Sequence, residues 1–312
     1  MRIAVTGGAG FIGSHLSDAL SAEGHDVVVL DDLSSGRKEN IGKGIKLIRK
    51  NVKKDLSGAL NCIDALFHLA AAPDVRESAG DPWKSFESNT RGTLSVLESC
   101  RKADVGRIVF ASSSAVCGDM VAVPTVEDAP CRPISNYGAS KAAGESYLSA
   151  YSGSYGMCCT SLRLANIYGE RSVRGVMFDF FRKLAADPAL LEILGDGRQQ
   201  KSFLYVSDCV SAMLTAWQKQ RSGYDVFNVG GKEKTSVKEL AEAMCGELGL
   251  EPEMRFGKEP QGWRGDVRLM LMDTRKLEAL GWKARVGLRD GLRRYIGWLR
   301  EGSGLKNRGR DR

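Results

Sequence analysis

The sequence predicts an α/β protein: a doubly wound parallel sheet with a smaller C-terminal α/β lobe. Three observations predict it. Short, continuous apolar runs alternate with amphipathic segments through the first half of the chain, as in a parallel sheet covered on both faces. A glycine-rich turn joins the first such run to the first helical segment. Beyond Gly169 the alternation becomes irregular and the runs shorten, as expected of a lobe whose segments return to the first half.

The elements follow in order. Arg2–Thr6 is a short apolar run, Phe11–Glu23 has helical spacing, and Asp26–Leu30 is a second run ending in three valines and a leucine. Ile45–Ile48 and Ala65–Leu69 read as further strands, and Pro82–Lys102 as one long helix. Arg107–Ala111 is a strand, Asn136–Tyr151 a helix and Cys158–Leu164 a strand. In the second half, helix Val176–Ala186 leads to strand Leu190–Leu194 and a turn at Gly195-Asp196-Gly197. Helix Val206–Gln220, strand Asp225–Val229, helix Ser236–Leu248 and a last helix, Leu288–Arg300, complete the series.

Composition bounds the function. The 312 residues are 43% hydrophobic and 27% charged, which suits an ordinary globular protein with a large core. The net charge of +7 is spread along the chain apart from a basic tail at 303–312, expected to be disordered. Nucleic-acid binders concentrate their cations on a helix or beside aromatic platforms, so no nucleic-acid partner is expected. Eight cysteines without a C-x-x-C, and three histidines far from any ligand spacing, predict no metal site and free thiols in a reducing compartment. The chain opens directly on a strand and carries no apolar run near 18 residues. A cytoplasmic protein without a membrane partner is expected.

The glycine turn is the first chemical signal. Strand Ile3–Thr6 runs into Gly7-Gly8-Ala9-Gly10-Phe11-Ile12-Gly13. Gly7 permits a tight turn, Gly10 lets backbone approach a pyrophosphate, and Gly13 lets helix pack closely on strand. The helix N-terminus then offers N–H groups and partial positive charge to phosphates. The next strand ends at Asp31, 18 residues beyond Gly13, where a carboxylate can accept the adenosine ribose hydroxyls and repel a 2′-phosphate. Asp32 adds to that repulsion. The pattern therefore predicts a Rossmann-type domain that binds NAD, formed by residues 1–168 with a returning segment at about 201–231. Residues 169–200 and 232–302 form the substrate lobe.

The second signal is Tyr137-Gly138-Ala139-Ser140-Lys141 at a helix start, after a serine run, Ser112-Ser113-Ser114, at the carboxyl end of a strand. Residues four apart share a helix face, so the ammonium is expected within reach of the phenol and of a nicotinamide ribose. A free tyrosine, with a pKa near 10, is a poor base at neutral pH, and an adjacent cation favours its phenolate. A serine hydroxyl at that strand end can hold a substrate oxygen during proton transfer.

These stretches, together with His68–Ala71, Gly195–Asp208 and Phe227–Gly230, resemble the extended short-chain dehydrogenases/reductases of the NAD-dependent epimerase/dehydratase family in order over nearly the whole chain. The resemblance implies Ser113, Tyr137 and Lys141 as catalytic residues, Ser113 because the family's Ser/Thr lies five residues before the closing glycine, Gly118. It implies cofactor contacts at Gly7, Gly10, Phe11, Ile12, Gly13, Asp31, Asp32, Leu33, Ser34, Ser35 and Gly36. Further contacts fall at Asn51, Val52, Leu69, Ala70, Ala71, Ala72, Asn89, Ser112, Tyr137, Lys141 and Ala165. Ser113, Tyr137, Asn166, Lys201, Arg264 and Met270 would face the nucleotide-sugar. A homodimer through the helices at 82–102 and 136–151 is also implied.

The reaction can be narrowed by residues. Dehydratases of this family carry Asp-Glu after the catalytic Ser/Thr, where this chain has Ser114 and Ala115, and decarboxylases usually have a glutamate that is missing between Ala111 and Gly118. What remains is NAD-dependent epimerisation at C4 of a UDP-hexose of the UDP-glucose/UDP-galactose type, through a transient 4-keto intermediate. The alternatives are another nucleotide-sugar epimerase or reductase, acting for example on a UDP-N-acetylhexosamine or UDP-hexuronate, and a non-catalytic dinucleotide-sensing protein. Several positions depart from the family pattern: Cys117 for a tyrosine, Asn51 for an aspartate, Lys201 for an arginine, and Arg264 one place later than usual. Met270 falls where the family sets the room at C2.

Overall fold

A computed structural model describes residues 1–119, 122–263 and 265–303. The first half runs β1 (Arg2–Thr6), α1 (Phe11–Ala22), β2 (Asp26–Asp31), β3 (Lys46–Arg49), β4 (Ala65–His68), α2 (Val75–Gly80), α3 (Pro82–Ser85), α4 (Gly92–Lys102), β5 (Arg107–Ser113), α5 (Asn136–Tyr155), β6 (Cys158–Leu164) and β7 (Asn166–Tyr168). The second half runs α6 (Val176–Ala186), β8 (Leu190–Ile193), β9 (Gln200–Lys201), β10 (Phe203–Tyr205), α7 (Val206–Lys219), β11 (Tyr224–Val229), β12 (Thr235–Ser236), α8 (Val237–Leu248), β13 (Glu253–Phe256), β14 (Leu269–Met270), α9 (Arg275–Glu278) and α10 (Leu288–Ser303).

Seven strands pair in the order β11-β6-β5-β4-β1-β2-β3, every neighbouring pair parallel. This is the expected doubly wound Rossmann-type sheet, and its strand order reverses between β1 and β4, where such sheets bind ligands. The sheet's two faces carry separate cores. Leu16 and Leu20 of α1 and Met213 and Trp217 of α7 pack on Val5 and Phe67 on one face. Val96, Leu97 and Leu148, from α4 and α5, pack on Leu66, Ile108 and Phe110 on the other. All seven residues of β6 are buried, which is why that strand reads as continuous rather than alternating. A third core, around Phe180, Phe181, Leu240, Met244 and Tyr295, holds the C-terminal lobe.

Helix ends explain the boundaries. Ser135 caps α5, its hydroxyl accepting from Gly138 N, and Gly156, in the left-handed region at φ 68°, ends it after Tyr155, four residues past the predicted stop at Tyr151. Ser236 and Glu239 form a reciprocal capping box on α8. The long helix expected at 82–102 is interrupted: residues 86–91 form a π-helical stretch, and α2 precedes it without having been predicted. The small sheets of the second half, β9 with β12 and β14, β8 with β13, and β7 with β10, were also unforeseen beyond β8. Strands of two or three residues carry too little pattern to read. The basic tail at 304–312 lies outside the described residues.

Candidate active site

One cleft of about 1090 Å³ runs across the carboxyl ends of the central strands and under the C-terminal lobe. Its cofactor end is built from backbone. Gly7 leaves β1 at φ +70°, and a Cβ there would lie 2.7 Å from Ala70 N. A Cβ on Gly13 would lie 2.2 Å from the Gly7 carbonyl oxygen, so only glycine lets the first turn of α1 press against the loop. No side chain caps α1, and its first turn holds no acid, so the helix dipole and leading N–H groups face the cleft.

At the end of β2, Asp31 is 8% exposed and accepts hydrogen bonds from Ala9 N at 3.0 Å and Leu33 N at 2.8 Å. Burial raises its pKa and those bonds oppose the rise. For Asp32, burial also pushes upward, but bonds from Ser34 and Asn51 outweigh it and hold the carboxyl below its usual value. Asn51 donates to Asp32 Oδ2 at 2.6 Å and accepts from Lys53 N at 2.9 Å. The amide that replaces the family's aspartate therefore braces Asp32. An adenine anchored on this cradle fits: glycine backbone for the diphosphate, a buried carboxylate at the ribose.

Of the residues expected to touch the cofactor, Gly7, Gly10, Phe11, Ile12, Gly13, Asp31, Asp32, Ser34, Ser35, Asn51, Val52, Leu69, Ala70, Ala71, Ala72, Ser112, Tyr137, Lys141 and Ala165 line this cleft. Leu33, Gly36 and Asn89 stand outside its lining. Gly36 packs where a Cβ would meet Ala9 Cβ at 2.8 Å. Asn89, in the π-helical stretch, brackets Ala72 with both ends of its amide, at 2.7 and 3.1 Å, and donates to Ser140 Oγ at 2.9 Å. It supports the wall from behind.

At the middle of the cleft, β5 delivers Ser113 and α5 delivers Tyr137 and Lys141. Helix α5 comes close because Gly144 lies against the Phe110 ring; a Cβ there would be 2.7 Å from Phe110 Cζ. Lys141 donates to the Ala111 carbonyl at 2.7 Å, and its Nζ lies 5.9 Å from the Tyr137 ring centroid. Burial pushes the Tyr137 phenol up to about 12, with the Ser113 hydroxyl pulling the other way. Burial pushes Lys141 down to about 7, partly countered by Glu145. The Lys141 ammonium is not hydrogen-bonded to the phenol. Lys141 is buried and bonds a carbonyl instead, while Tyr137 is half-buried at the wall of the cleft.

The substrate end is built from side chains of distant segments. Asn166, Lys201 and Met270 line this part of the cleft; Arg264 falls outside the described residues. Asn166 donates to the Ser202 carbonyl at 3.1 Å. Lys201 pairs with Asp266 at 2.5 Å, both well buried, and lies 5.7 Å from the Trp263 ring centroid. Met270 packs with Cys117, whose thiol burial pushes up to about 11. The sequence reading missed Asp266 as the partner of Lys201. It also missed Arg76, whose guanidinium lies 4.3 Å over Trp263. No pattern marked Arg76, because it sits on the unpredicted helix α2. Among the described residues, no cluster could hold a metal ion, and no helix is long and apolar enough to cross a membrane.

Known proteins are similar to this chain. The family model of the NAD dependent epimerase/dehydratase family matches residues 3–230. The UDP-glucose 4-epimerase of Mycolicibacterium smegmatis is 39% identical over 317 aligned residues, covering 97% of this chain and 100% of its own. A crystal structure of UDP-galactose 4-epimerase superposes with a TM-score of 0.89 at 40% identity, covering 97% of this chain and 99% of its own. The UDP-glucose 4-epimerase of Thermotoga maritima, solved with UDP-glucose, has a TM-score of 0.91 at 33% identity, with 97% and 100% covered.

Proposed function

The chain belongs to the NAD-dependent epimerase/dehydratase family, and from that premise we propose that it inverts C4 of a UDP-hexose, interconverting UDP-glucose and UDP-galactose. The observation that carries this reading is the meeting of Ser113, Tyr137 and Lys141 in one cleft with Asn166, Lys201 and Met270, while Ser114 and Ala115 supply no acid–base pair for elimination. NAD is the cofactor, and when bound it accepts the C4 hydrogen with its electron pair and returns it.

The protein's own groups do the rest. The Gly7–Gly13 loop and Asp31 hold the dinucleotide, and Lys201 meets the substrate's diphosphate as a point charge. Ser113 holds the C4 oxygen by hydrogen bond. The Tyr137 oxygen takes the C4 hydroxyl proton and later returns it. The Lys141 ammonium would favour its phenolate, and the positive charge that oxidised NAD would bring when bound would act in the same sense.

Purified protein should release NAD(H) on denaturation and exchange UDP-glucose with UDP-galactose without added reductant. Failure to exchange any UDP-hexose would overturn the reading. The exposed aromatic side chains Trp83, Phe86, Tyr147 and Tyr155, on α3, α5 and the π-helical stretch, support the homodimer through these helices; sedimentation tests it. All eight cysteines are free, which supports a reducing, cytoplasmic setting.

A further inference from the structure

Behind the reacting groups lies a buried charged frame that the reaction itself does not touch. Glu145 stands one helical turn after Lys141 on α5 and is 5% exposed. Arg163, on β6, grips its carboxylate: Nε lies 3.0 and 3.2 Å from the two oxygens, and Nη2 lies 2.8 Å from Oε2. Ser112, next to Ser113 and opposite Arg163 in the sheet register, donates its hydroxyl to Oε1 at 2.5 Å. Arg163 is held in turn by the Glu127 carbonyl at 2.8 Å and by Cys131 Sγ at 3.3 Å.

The groups facing Glu145 are therefore few. Arg163 approaches from β6, Lys141 from its own helix, the Ser112 hydroxyl from β5 and the Tyr224 hydroxyl from β11, with the Cys117 and Cys131 thiols beside the guanidinium. Lys141 donates to a carbonyl, and among the described residues no carboxylate bonds it directly. The same carboxylate ties the strand that carries Ser113 to the helix that carries Tyr137 and Lys141.

Resting on the reading that these three residues do the chemistry, we propose that Glu145 is a positioning residue: its carboxylate locks α5 to the end of β5 and keeps the Lys141 ammonium charged in a dry site. The sign follows from electrostatics. Burial drives Lys141 toward its neutral form, and the nearby negative charge of Glu145 is what opposes that drive. Replacing it by an amide removes the opposing charge and leaves the Arg163 cation unpaired.

The test is the pH dependence of kcat and kcat/KM for UDP-galactose in Glu145→Gln, with Glu145→Asp as the conservative variant. The alkaline limb of the Gln variant should move down by about one pH unit or more, and the Asp variant should bring it back toward wild type. Should the unpaired guanidinium prevent folding, Glu145→Gln with Arg163→Met leaves no lone charge, and a smaller shift in the same direction is expected, because the guanidinium's own repulsion of Lys141 is removed as well. Thermal melting without cofactor or substrate reads the same lysine: the gain in stability with rising pH should begin at lower pH in the variant. A uniform fall in rate at every pH, with both the limb and the melting curve unmoved, would mean scaffold only and overturn the electrostatic role. If wild type does not exchange the sugars, or Tyr137→Phe still does, the functional reading fails. If those controls behave and the limb stays, the role of Glu145 alone is wrong.

Discussion

The two ends of the cleft are made in opposite ways. At the cofactor end the diphosphate cradle comes from one contiguous stretch, β1–α1, and is made of backbone: a glycine that takes a positive φ, another that leaves no room for a Cβ, and an uncapped helix end, with the Asp31 and Asp32 carboxylates added from the end of β2. The substrate end collects Asn166, Lys201, Trp263, Asp266 and Met270 across about a hundred residues, and its specificity lies in side chains. A backbone site tolerates almost no change at its glycines yet cannot be retuned; a side-chain site can be retuned one contact at a time.

The sharpest way to break the comparison is at Gly13. Gly13→Ala places a Cβ against the Gly7 carbonyl, so the purified variant should carry no NAD(H) and show no turnover, while the fold costs only about 1–3 kcal/mol. Cofactor released on denaturation is the measurement, and retention of a full complement would refute a backbone-made site. Next comes the seam between the two ends. Tyr137→Phe should lower kcat by about 10³-fold and leave the bound cofactor in place.

A smaller effect is expected at the substrate end. Lys201→Ala should raise KM for the UDP-sugar about tenfold without loss of cofactor, and it strips Asp266 of its partner, at a cost of about 3 kcal/mol seen in denaturant melts. Equal loss of cofactor and substrate binding would erase the division between the ends. The smallest effect is on stability alone. Lys141 titrates lower in the folded than in the unfolded protein, so the unfolded state binds the extra proton between about pH 7 and about pH 10 and stability rises with pH across that window. Lys141→Met should therefore be the more stable protein near pH 6, by about 1 kcal/mol or more, with the advantage fading toward pH 10. A constant difference would show that the lysine is not dry.

The legibility of the molecule divides along the same line. Strand-and-helix alternation, the glycine loop, Asp31 and the Tyr137–Lys141 spacing could all be read from residues, since each depends on neighbours close in sequence. The caps at Ser135 and Gly156, the π-helical stretch at 86–91 and the short strands of the C-terminal lobe could not, because they depend on packing or carry two or three residues of pattern. The same holds for Arg76 against Trp263 and for the bond from Asn51 to Asp32, which join residues with no regular spacing.

What the amino-acid order determined by itself was the doubly wound sheet and a list of reactive groups, because periodicity and turn chemistry are local. What only the tertiary structure decided was the electrostatic state of those groups. Burial holds the Lys141 ammonium below its ordinary value because chain segments far apart in sequence remove water from around it, and desolvation acts through space, not along the chain.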